Sequence, residues 1–264
     1  GRGVTPPDHV PAGELDEASA GPLIGLARSL ELAQRWAEAD TETLLAGMIF
    51  EEFPGRIALV SSFGAEAAVL LHMVAGIEPR LPVIFLDTGK LFGETRRYRD
   101  ELSARLGLLD VRSITPDTAQ IDALDPDGVL WFGNPDMCCH IRKVEPLNRA
   151  LQGFDAWITG RKNFQTGSRA NLQRIERNKE DGRIKINPLA QWQKEDLDGY
   201  FDRHGLPRHP LEADGFLSIG CMPCTDRVAP GEDARAGRWR GRDKTECGIH
   251  LPIGKWNMNG MDGI

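Results

Sequence analysis

The chain has 264 residues, of which 41% are hydrophobic and 27% charged, a balance typical of a globular protein with a sizeable core. This composition excludes a disordered chain, a collagen-like repeat and a small scaffold held together by disulfides. With 32 Lys and Arg against 39 Asp and Glu, the net charge is −7, so general attraction to nucleic-acid phosphates is not expected. The longest apolar runs fall far short of the ~20 residues of a membrane-spanning helix.

Strands and helices are predicted to alternate after a loosely ordered lead-in at residues 1–25, which is rich in Pro, Gly and Ala. The predicted elements are, in chain order, a helix capped by Asp40 and closed by Pro54, a strand at 57–60, a helix at 67–75, a strand at 83–86, a helix at 94–106, a strand at 109–114, a helix at 139–151, a strand at 156–159 and a helix at 195–204. This alternation predicts an α/β fold, a parallel twisted sheet flanked by helices, over residues 26–210. Residues 211–264 are predicted to form an irregular C-terminal arm of the same domain.

Three polar loops follow predicted strands at their carboxyl ends, where open parallel sheets bind ligands. The first, at 61–64, leads into a helix whose N-terminus and backbone N–H groups suit an anion. The second is at 87–89, and the third begins at Gly160 with Arg161 and Lys162. Each loop alone is also typical of an ordinary turn, so the prediction of a site depends on their convergence at one sheet edge.

Four of the five cysteines have the spacing of a metal site. Cys138 and Cys139 are neighbours, and Cys221 and Cys224 form a CxxC pair. Vicinal cysteines suit one small tetrahedral ion less well than the separate iron corners of a larger cluster. The spacing therefore favours a [4Fe–4S] cluster, with a structural zinc site as the alternative.

The fifth cysteine, Cys247, lies near the C-terminus and is followed by His250. Nearby cations lower the pKa of a thiol, and a run of them precedes this one: Arg235, Arg238, Arg240, Arg242 and Lys244. Flanking glycines predict a mobile arm. Four ligands and one remaining thiol favour a nucleophilic Cys247, against the simpler interpretation of an incidental terminal thiol.

Together these residues resemble the assimilatory adenylyl-sulfate (APS) reductases, within the broader APS/PAPS reductase family. The resemblance runs from about Arg56 to His250 and is carried by six motifs in the same order. They are LDTG at 86–89, CC and RKV within 138–144, GRK through to Arg169 within 160–169, GCMPCT at 220–225, GEDARAGRW at 231–239 and ECGIH at 246–250.

The resemblance implies a fold like that of the adenine-nucleotide α-hydrolases and a thioredoxin-dependent reduction of APS to sulfite and AMP in assimilatory sulfate reduction. Cys247 is the implied nucleophile, which carries an S-sulfocysteine intermediate until a thioredoxin-type dithiol releases sulfite. The implied ligands of a [4Fe–4S] cluster are Cys138, Cys139, Cys221 and Cys224. The implied substrate-binding residues are Ser61, Ser62, Phe63, Gly64, Asp87, Thr88, Gly89, Lys143, Gly160, Arg161, Arg169, Arg235, Arg238 and His250.

Two other functions remain open from the sequence. One is reduction of the 3′-phosphorylated substrate PAPS, although relatives that use it generally lack the four cluster cysteines. The other is a non-enzymatic nucleotide-binding metal protein, which has no need of a fifth cysteine. Related ATP pyrophosphatases carry SGGxDS in the first loop, and because that motif is absent here, ATP cleavage is not expected.

The expected setting is the cytoplasm, since no secretory signal opens the sequence and the cysteines are expected to be reduced. No nucleic-acid or membrane partner is expected. A homo-oligomer is compatible with the sequence.

Overall fold

The computed structural model describes residues 24–164, 172–216 and 219–222. These ranges contain the predicted α/β domain except residues 165–171, and the first part of the predicted arm. Most of the predicted lead-in and the rest of the arm lie outside the described residues. In the part of the chain that is described, no helix combines the length and the apolar character needed to cross a membrane.

Six strands form one sheet in the order β3-β2-β1-β4-β6-β5. The strands are β1 (Ile57–Val60), β2 (Val83–Leu86), β3 (Val111–Ile114), β4 (Ala156–Ile158), β5 (Ile175–Arg177) and β6 (Ile184–Ile186). The neighbouring pairs from β3 to β6 are parallel, which confirms the predicted sheet, and β5 pairs with β6 antiparallel. β5 and β6 were not predicted from the sequence, because each contains charged residues (IER and IKI) and neither forms an apolar run like that of β4 (AWI).

Nine α-helical segments flank the sheet in the described ranges. They are α1 (Leu26–Arg35), α2 (Thr41–Ala46), α3 (Ala67–Ile77), α4 (Gly93–Leu106), α5 (Thr118–Leu124), α6 (Leu130–Gly133), α7 (Pro135–Cys139), α8 (Glu145–Ala150) and α9 (Lys194–His204). The predicted cap is confirmed at α2, where the Asp40 side chain accepts a 2.8 Å hydrogen bond from the Thr43 N–H. Two π-helical turns, Gly47–Glu52 and His140–Val144, extend α2 and α7.

The helix predicted from Cys139 begins four residues earlier, at Pro135. Asn134 caps the helix, because its side-chain oxygen accepts a 3.1 Å hydrogen bond from the Met137 N–H. Proline suits the first helical position, because the backbone N–H that it lacks would have no partner within the helix there. Both cysteines at 138 and 139 are therefore inside the helix rather than at its start.

Both faces of the sheet are buried. On one face Leu59, Val83 and Phe85 join the larger core, and on the other Ala58 and Ile84 pack with a second apolar cluster. This alternation follows the two-residue period of a strand. Because helices cover both faces, the carboxyl edge of the strands is the open place where loops can form a site.

The first described residues of the arm pack against the loop that follows β1. Leu211 and Ile219 form a small buried cluster with Ala65, and Phe92 and Phe216 lie against it. The start of the arm is thus held next to the carboxyl edge of the sheet.

A buried histidine precedes this cluster. His209 is 1% exposed, and its Nδ1 accepts the Leu211 N–H at 3.1 Å. The imidazole proton is therefore on Nε2, which lies 2.9 Å from the Thr95 hydroxyl. Burial lowers the pKa of His209 to about 4, against a small opposing effect of Glu94.

We expect His209 to make the protein less stable in acid. Its pKa rises from about 4 in the folded chain to an ordinary ~6.5 on unfolding, so the unfolded chain binds more protons between these values. Stability should therefore fall as the pH drops through this window, by about 2 kcal/mol between pH 7 and pH 5 from this group. Urea unfolding of the wild type and His209→Gln at both pH values measures it. Equal pH dependence in the two proteins would contradict the assignment.

Candidate functional site

The loop after β1 adopts an unusual backbone at Phe63. Its φ is +50°, in the left-handed region that non-glycine residues rarely adopt, and its side chain is fully buried. The ring meets Phe85 of β2 edge-on at 5.6 Å, and the Phe63 N–H donates to the Ser61 hydroxyl at 3.2 Å. The ring thus anchors the loop in the core, and only its backbone is left to face a ligand.

Close packing surrounds the next residue, Gly64. A Cβ there would lie 3.2 Å from the Ser62 Oγ and 3.4 Å from the Ile219 carbonyl. Ser62 itself is exposed. The loop therefore passes beneath the start of the arm while it leaves one serine open to solvent.

The loop after β2 turns its threonine inward. Thr88 is fully buried, its Oγ1 accepts the Lys90 N–H at 3.1 Å, and the same oxygen lies 3.2 Å from the Cys221 Sγ. The Asp87 carboxylate accepts the Gly89 N–H at 3.1 Å, and Gly89 has a φ of +76°. The Thr88 hydroxyl thus faces a cysteine, whereas the sequence suggested that it faces an anion.

The loop after β4 is joined to the first loop by an ion pair. Lys162 Nζ lies 3.0 Å from the Glu66 carboxylate, and it also donates to the Gly160 carbonyl at 2.6 Å. The buried Arg161 guanidinium lies 3.5 Å from Glu176 of β5. The predicted positive charge of this loop is present, but both cations have acidic neighbours.

The same loop rests on a buried hydrogen bond. The Thr159 hydroxyl donates to the Asn187 Oδ1 at 2.5 Å, and the Arg161 N–H donates back to the Thr159 Oγ1 at 3.3 Å. Asn187 is fully buried just after β6. Asn187, which joins the ends of β4 and β6, was not predicted from the sequence.

The helix α7 carries Cys138 and Cys139, both of them buried free thiols. Immediately afterwards the helix widens into its π-helical turn, which contains the buried Arg142 and the half-buried Lys143. Such turns occur frequently at functional sites. α-Helical spacing alone would put Lys143 on the same face as Cys139, four residues earlier, but the wider turn means that this spacing does not fix its direction.

Arg142 connects the cysteine helix to the loop after β2. Its guanidinium donates to the Thr88 carbonyl at 2.6 Å and to the Asp125 carboxylate at 2.7 Å. Cys221 reaches the same loop through a β-bridge to Leu91 and through its contact with Thr88. The structure therefore ties both halves of the predicted cysteine set to Thr88.

Three of the four predicted ligands are described, and their chemistry suits an iron–sulfur cluster. Thiolates are the preferred ligands of such clusters. Among the described residues, no group of three or more His, Cys, Asp or Glu side chains is placed to hold a single metal ion. In a cluster each thiolate binds a different iron corner, so the thiolates lie farther apart than around one ion.

The remaining predicted site residues lie outside the described ranges. They are Arg169, Cys224, Arg235, Arg238, Cys247 and His250. Their roles stay predictions.

An open α/β sheet with three polar loops at its carboxyl edge defines a nucleotide-binding α/β protein, here with cysteines beside the loops. Residues 56–227 match the model of the phosphoadenosine phosphosulfate reductase domain, which is more than half of the chain. The chain belongs to this family of reductases.

Relatives that align with most of this chain carry the names of reductases of the same kind. A Mesorhizobium japonicum protein named adenosine 5′-phosphosulfate reductase is 49% identical over 252 residues, which cover 93% of each protein. A Gloeobacter violaceus protein named phosphoadenosine 5′-phosphosulfate reductase is 41% identical over 223 residues, covering 83% of this chain and 92% of its own.

Solved structures are similar as well. The crystal structure of phosphoadenylyl-sulfate reductase from Candida auris superposes with a TM-score of 0.64 at 26% identity, over 79% of this chain and all of that one. Yeast FAD synthetase, at 18% identity and a TM-score of 0.52 over 76% of this chain and 67% of its own, shares the fold alone. These similarities confirm the predicted fold class.

Proposed function

We propose that this protein reduces adenylyl sulfate to sulfite and AMP in assimilatory sulfate reduction, with a thioredoxin-type dithiol as electron donor. The observation that carries the proposal is the 49% identity, over 93% of both chains, to a protein named adenosine 5′-phosphosulfate reductase. The convergence of three loops and a cysteine helix at one edge of the sheet is consistent with it. A single domain over residues 26–264, with the arm from 211 onward, is part of the proposal, as is a cytoplasmic setting.

The backbone of the first loop would hold the substrate. In this proposal Ser61, Ser62, Phe63 and Gly64 cradle the nucleotide through main-chain N–H groups and the start of α3. The other two loops contribute Asp87 and Gly89 on one side and Gly160 and Arg161 on the other. Lys143, Arg169, Arg235, Arg238 and His250 would neutralise the sulfate and the phosphate.

The reaction proceeds through Cys247. Its thiolate attacks the sulfur of APS, the S–O bond to the phosphate breaks, and AMP leaves with the bonding pair. The S-sulfocysteine is then attacked at the Cys247 Sγ by a thioredoxin thiolate, which releases sulfite and leaves a mixed disulfide. The second thioredoxin thiol resolves that disulfide and restores the free Cys247 thiol.

A [4Fe–4S] cluster held by Cys138, Cys139, Cys221 and Cys224 is included in the proposal; when bound, it orders the site and adjusts its charge. The electrons for sulfite come from the dithiol. Iron and acid-labile sulfide in anaerobically purified protein support this cofactor, and zinc without iron would contradict it.

The adduct on Cys247 tests the proposed reaction. Anaerobic protein incubated with APS and no dithiol should release AMP and gain ~80 Da, the mass of SO₃, on the peptide that contains Cys247. Reduced thioredoxin should then remove the added mass and release sulfite. A cluster-loaded sample that forms no adduct would contradict the mechanism.

Reduction of PAPS is the second candidate, because a relative 41% identical to this chain carries that name. A site binds the extra 3′-phosphate well only if it offers unpaired cations, and the described Lys162 and Arg161 both have acidic neighbours. We expect kcat/KM for APS to exceed that for PAPS by at least about a hundredfold. Steady-state sulfite release with each nucleotide measures the ratio, and a ratio near one or below would favour the second candidate.

A further inference from the structure

Asp125 is a buried carboxylate that the sequence analysis did not place among the site residues. Its side chain is 1% exposed, one oxygen accepts the Leu130 N–H at 3.0 Å, and the other accepts from Arg142 at 2.7 Å. Burial alone would raise the pKa of Asp125, but the hydrogen bonds from Arg142 and Leu130 outweigh it and hold the pKa below its ordinary value. The carboxylate is therefore charged at neutral pH and faces a charged partner.

Arg142, the partner of Asp125, is held by hydrogen bonds from both of its terminal nitrogens. The Arg142 side chain is 8% exposed, and its second terminal nitrogen donates to the Thr88 carbonyl at 2.6 Å. Gly89 leaves room for this contact, since a Cβ there would lie 3.3 Å from the Arg142 Nη1. The guanidinium thus has one defined position between Asp125 and the loop after β2.

Cys221, in the start of the arm, contacts that loop. The Thr88 hydroxyl lies 3.2 Å from the Cys221 Sγ, and the Met222 N–H donates to the Lys90 carbonyl at 2.7 Å. Arg142, at the other end, is three residues beyond Cys139 on the cysteine helix. A continuous series of contacts therefore leads from Asp125 through Arg142 and Thr88 to Cys221.

We propose that Asp125 is a positioning residue for the cysteines: by holding Arg142, it fixes the cysteine helix relative to the loop after β2, against which Cys221 lies. The inference depends on the proposed cluster, since its purpose is to hold Cys138, Cys139 and Cys221 at one spacing. Groups that orient metal ligands from outside change metal retention by about 10- to 100-fold when they are replaced. Without the Asp125 charge, Arg142 is buried and unpaired, and it is expected to leave its place between the two segments.

The test uses Asp125→Asn in the full chain, purified anaerobically with its iron. The asparagine keeps the size of the side chain and an oxygen for the Leu130 N–H, but it loses the ion pair. Asp110→Asn is the matched control, because it removes the same charge from an exposed pair with Arg112 at 2.9 Å. The readouts are iron per chain and the rate at which visible absorbance is lost after an iron chelator is added.

We expect Asp125→Asn to lose iron at least about tenfold faster than the wild type, and Asp110→Asn to stay within about twofold of it. Thermal unfolding of the same variants, with and without iron, separates positioning from general stability. A positioning role requires a larger loss in the iron-loaded protein than in the iron-free protein. Equal shifts in both forms, or unchanged iron loss, would overturn the inference.

Two other outcomes, a wild-type protein without iron and a variant that does not fold, have their own interpretation. A wild-type protein that binds no iron would overturn the proposed cofactor and this inference with it, but not the chemistry at Cys247. If Asp125→Asn does not fold, Asp125→Glu decides, because it keeps the charge and displaces it by one methylene. Its iron loss should then be faster than that of the wild type, and a wild-type rate would overturn the inference.

Discussion

Cys247→Ser should release no sulfite above background while it keeps its iron. A serine hydroxyl is barely ionised at neutral pH, and it cannot form the sulfur–sulfur bond of the intermediate. We expect kcat to fall by at least about a thousandfold, a loss typical of removing a covalent nucleophile. Sulfite and AMP are measured anaerobically with reduced thioredoxin.

A second measurement separates loss of chemistry from loss of substrate. Equilibrium binding of APS to Cys247→Ser should remain within a few fold of the wild-type value, because the three loops at the sheet edge are unchanged. Iron per chain should match the wild type, since Cys247 is not among the proposed ligands. Sulfite release at even a tenth of the wild-type rate would remove Cys247 from the role of nucleophile.

The parts of the fold that the sequence predicted well are those with strong local signals. β1 and β2 are uninterrupted apolar runs, and α4 ends at Gly107 because that residue adopts a left-handed φ of +72°. β5 and β6 gave no such signal. Each places charged residues beside isoleucine, IER and IKI, so neither forms an uninterrupted apolar run.

The positions of the loops that form the site were predicted from the sequence, but the contacts between their side chains were not. Strand order alone brings the loops after β1, β2 and β4 to one edge, so their convergence was predictable. The ion pairs Glu66–Lys162 and Asp125–Arg142 were not, because charged residues carry no sign of which opposite charge they will meet. The inward direction of Thr88 depends on Cys221, 133 residues further along the chain, and local sequence does not indicate that contact.

These contacts change the interpretation of the basic residues. From the sequence, Arg161 and Lys162 were available positive charges beside an anion. In the structure each has an acidic neighbour, so part of their charge is already balanced before a substrate binds. The proposed preference for APS over PAPS depends in part on this balance.

The conformation of Phe63 leads to a prediction about the first loop. Replacing this fully buried ring with alanine should lower the free energy of unfolding by about 3–5 kcal/mol, the usual cost of removing a buried aromatic side chain. Phe50→Ala is the matched control: its ring is 52% exposed, so we expect a change of about 0.5 kcal/mol or less. Urea unfolding of the two variants measures the difference.

Phe63→Gly then separates the backbone from the side chain. At an ordinary loop position glycine is about 0.4–1 kcal/mol less stable than alanine, because it loses more entropy on folding. At a φ of +50° alanine retains about 1 kcal/mol or more of strain that glycine relieves. The two effects offset, so Phe63→Gly should be at least as stable as Phe63→Ala.

Nucleotide binding by the loop after β1 should also depend on the buried Phe63 ring. Without the Phe63 ring in the core, the main-chain N–H groups lose their fixed direction, and both variants should raise KM for the nucleotide more than they lower kcat. A free energy of unfolding clearly higher for Phe63→Ala than for Phe63→Gly would contradict the left-handed backbone conformation at residue 63. If both kept the wild-type KM, the loop would not be the cradle of the substrate.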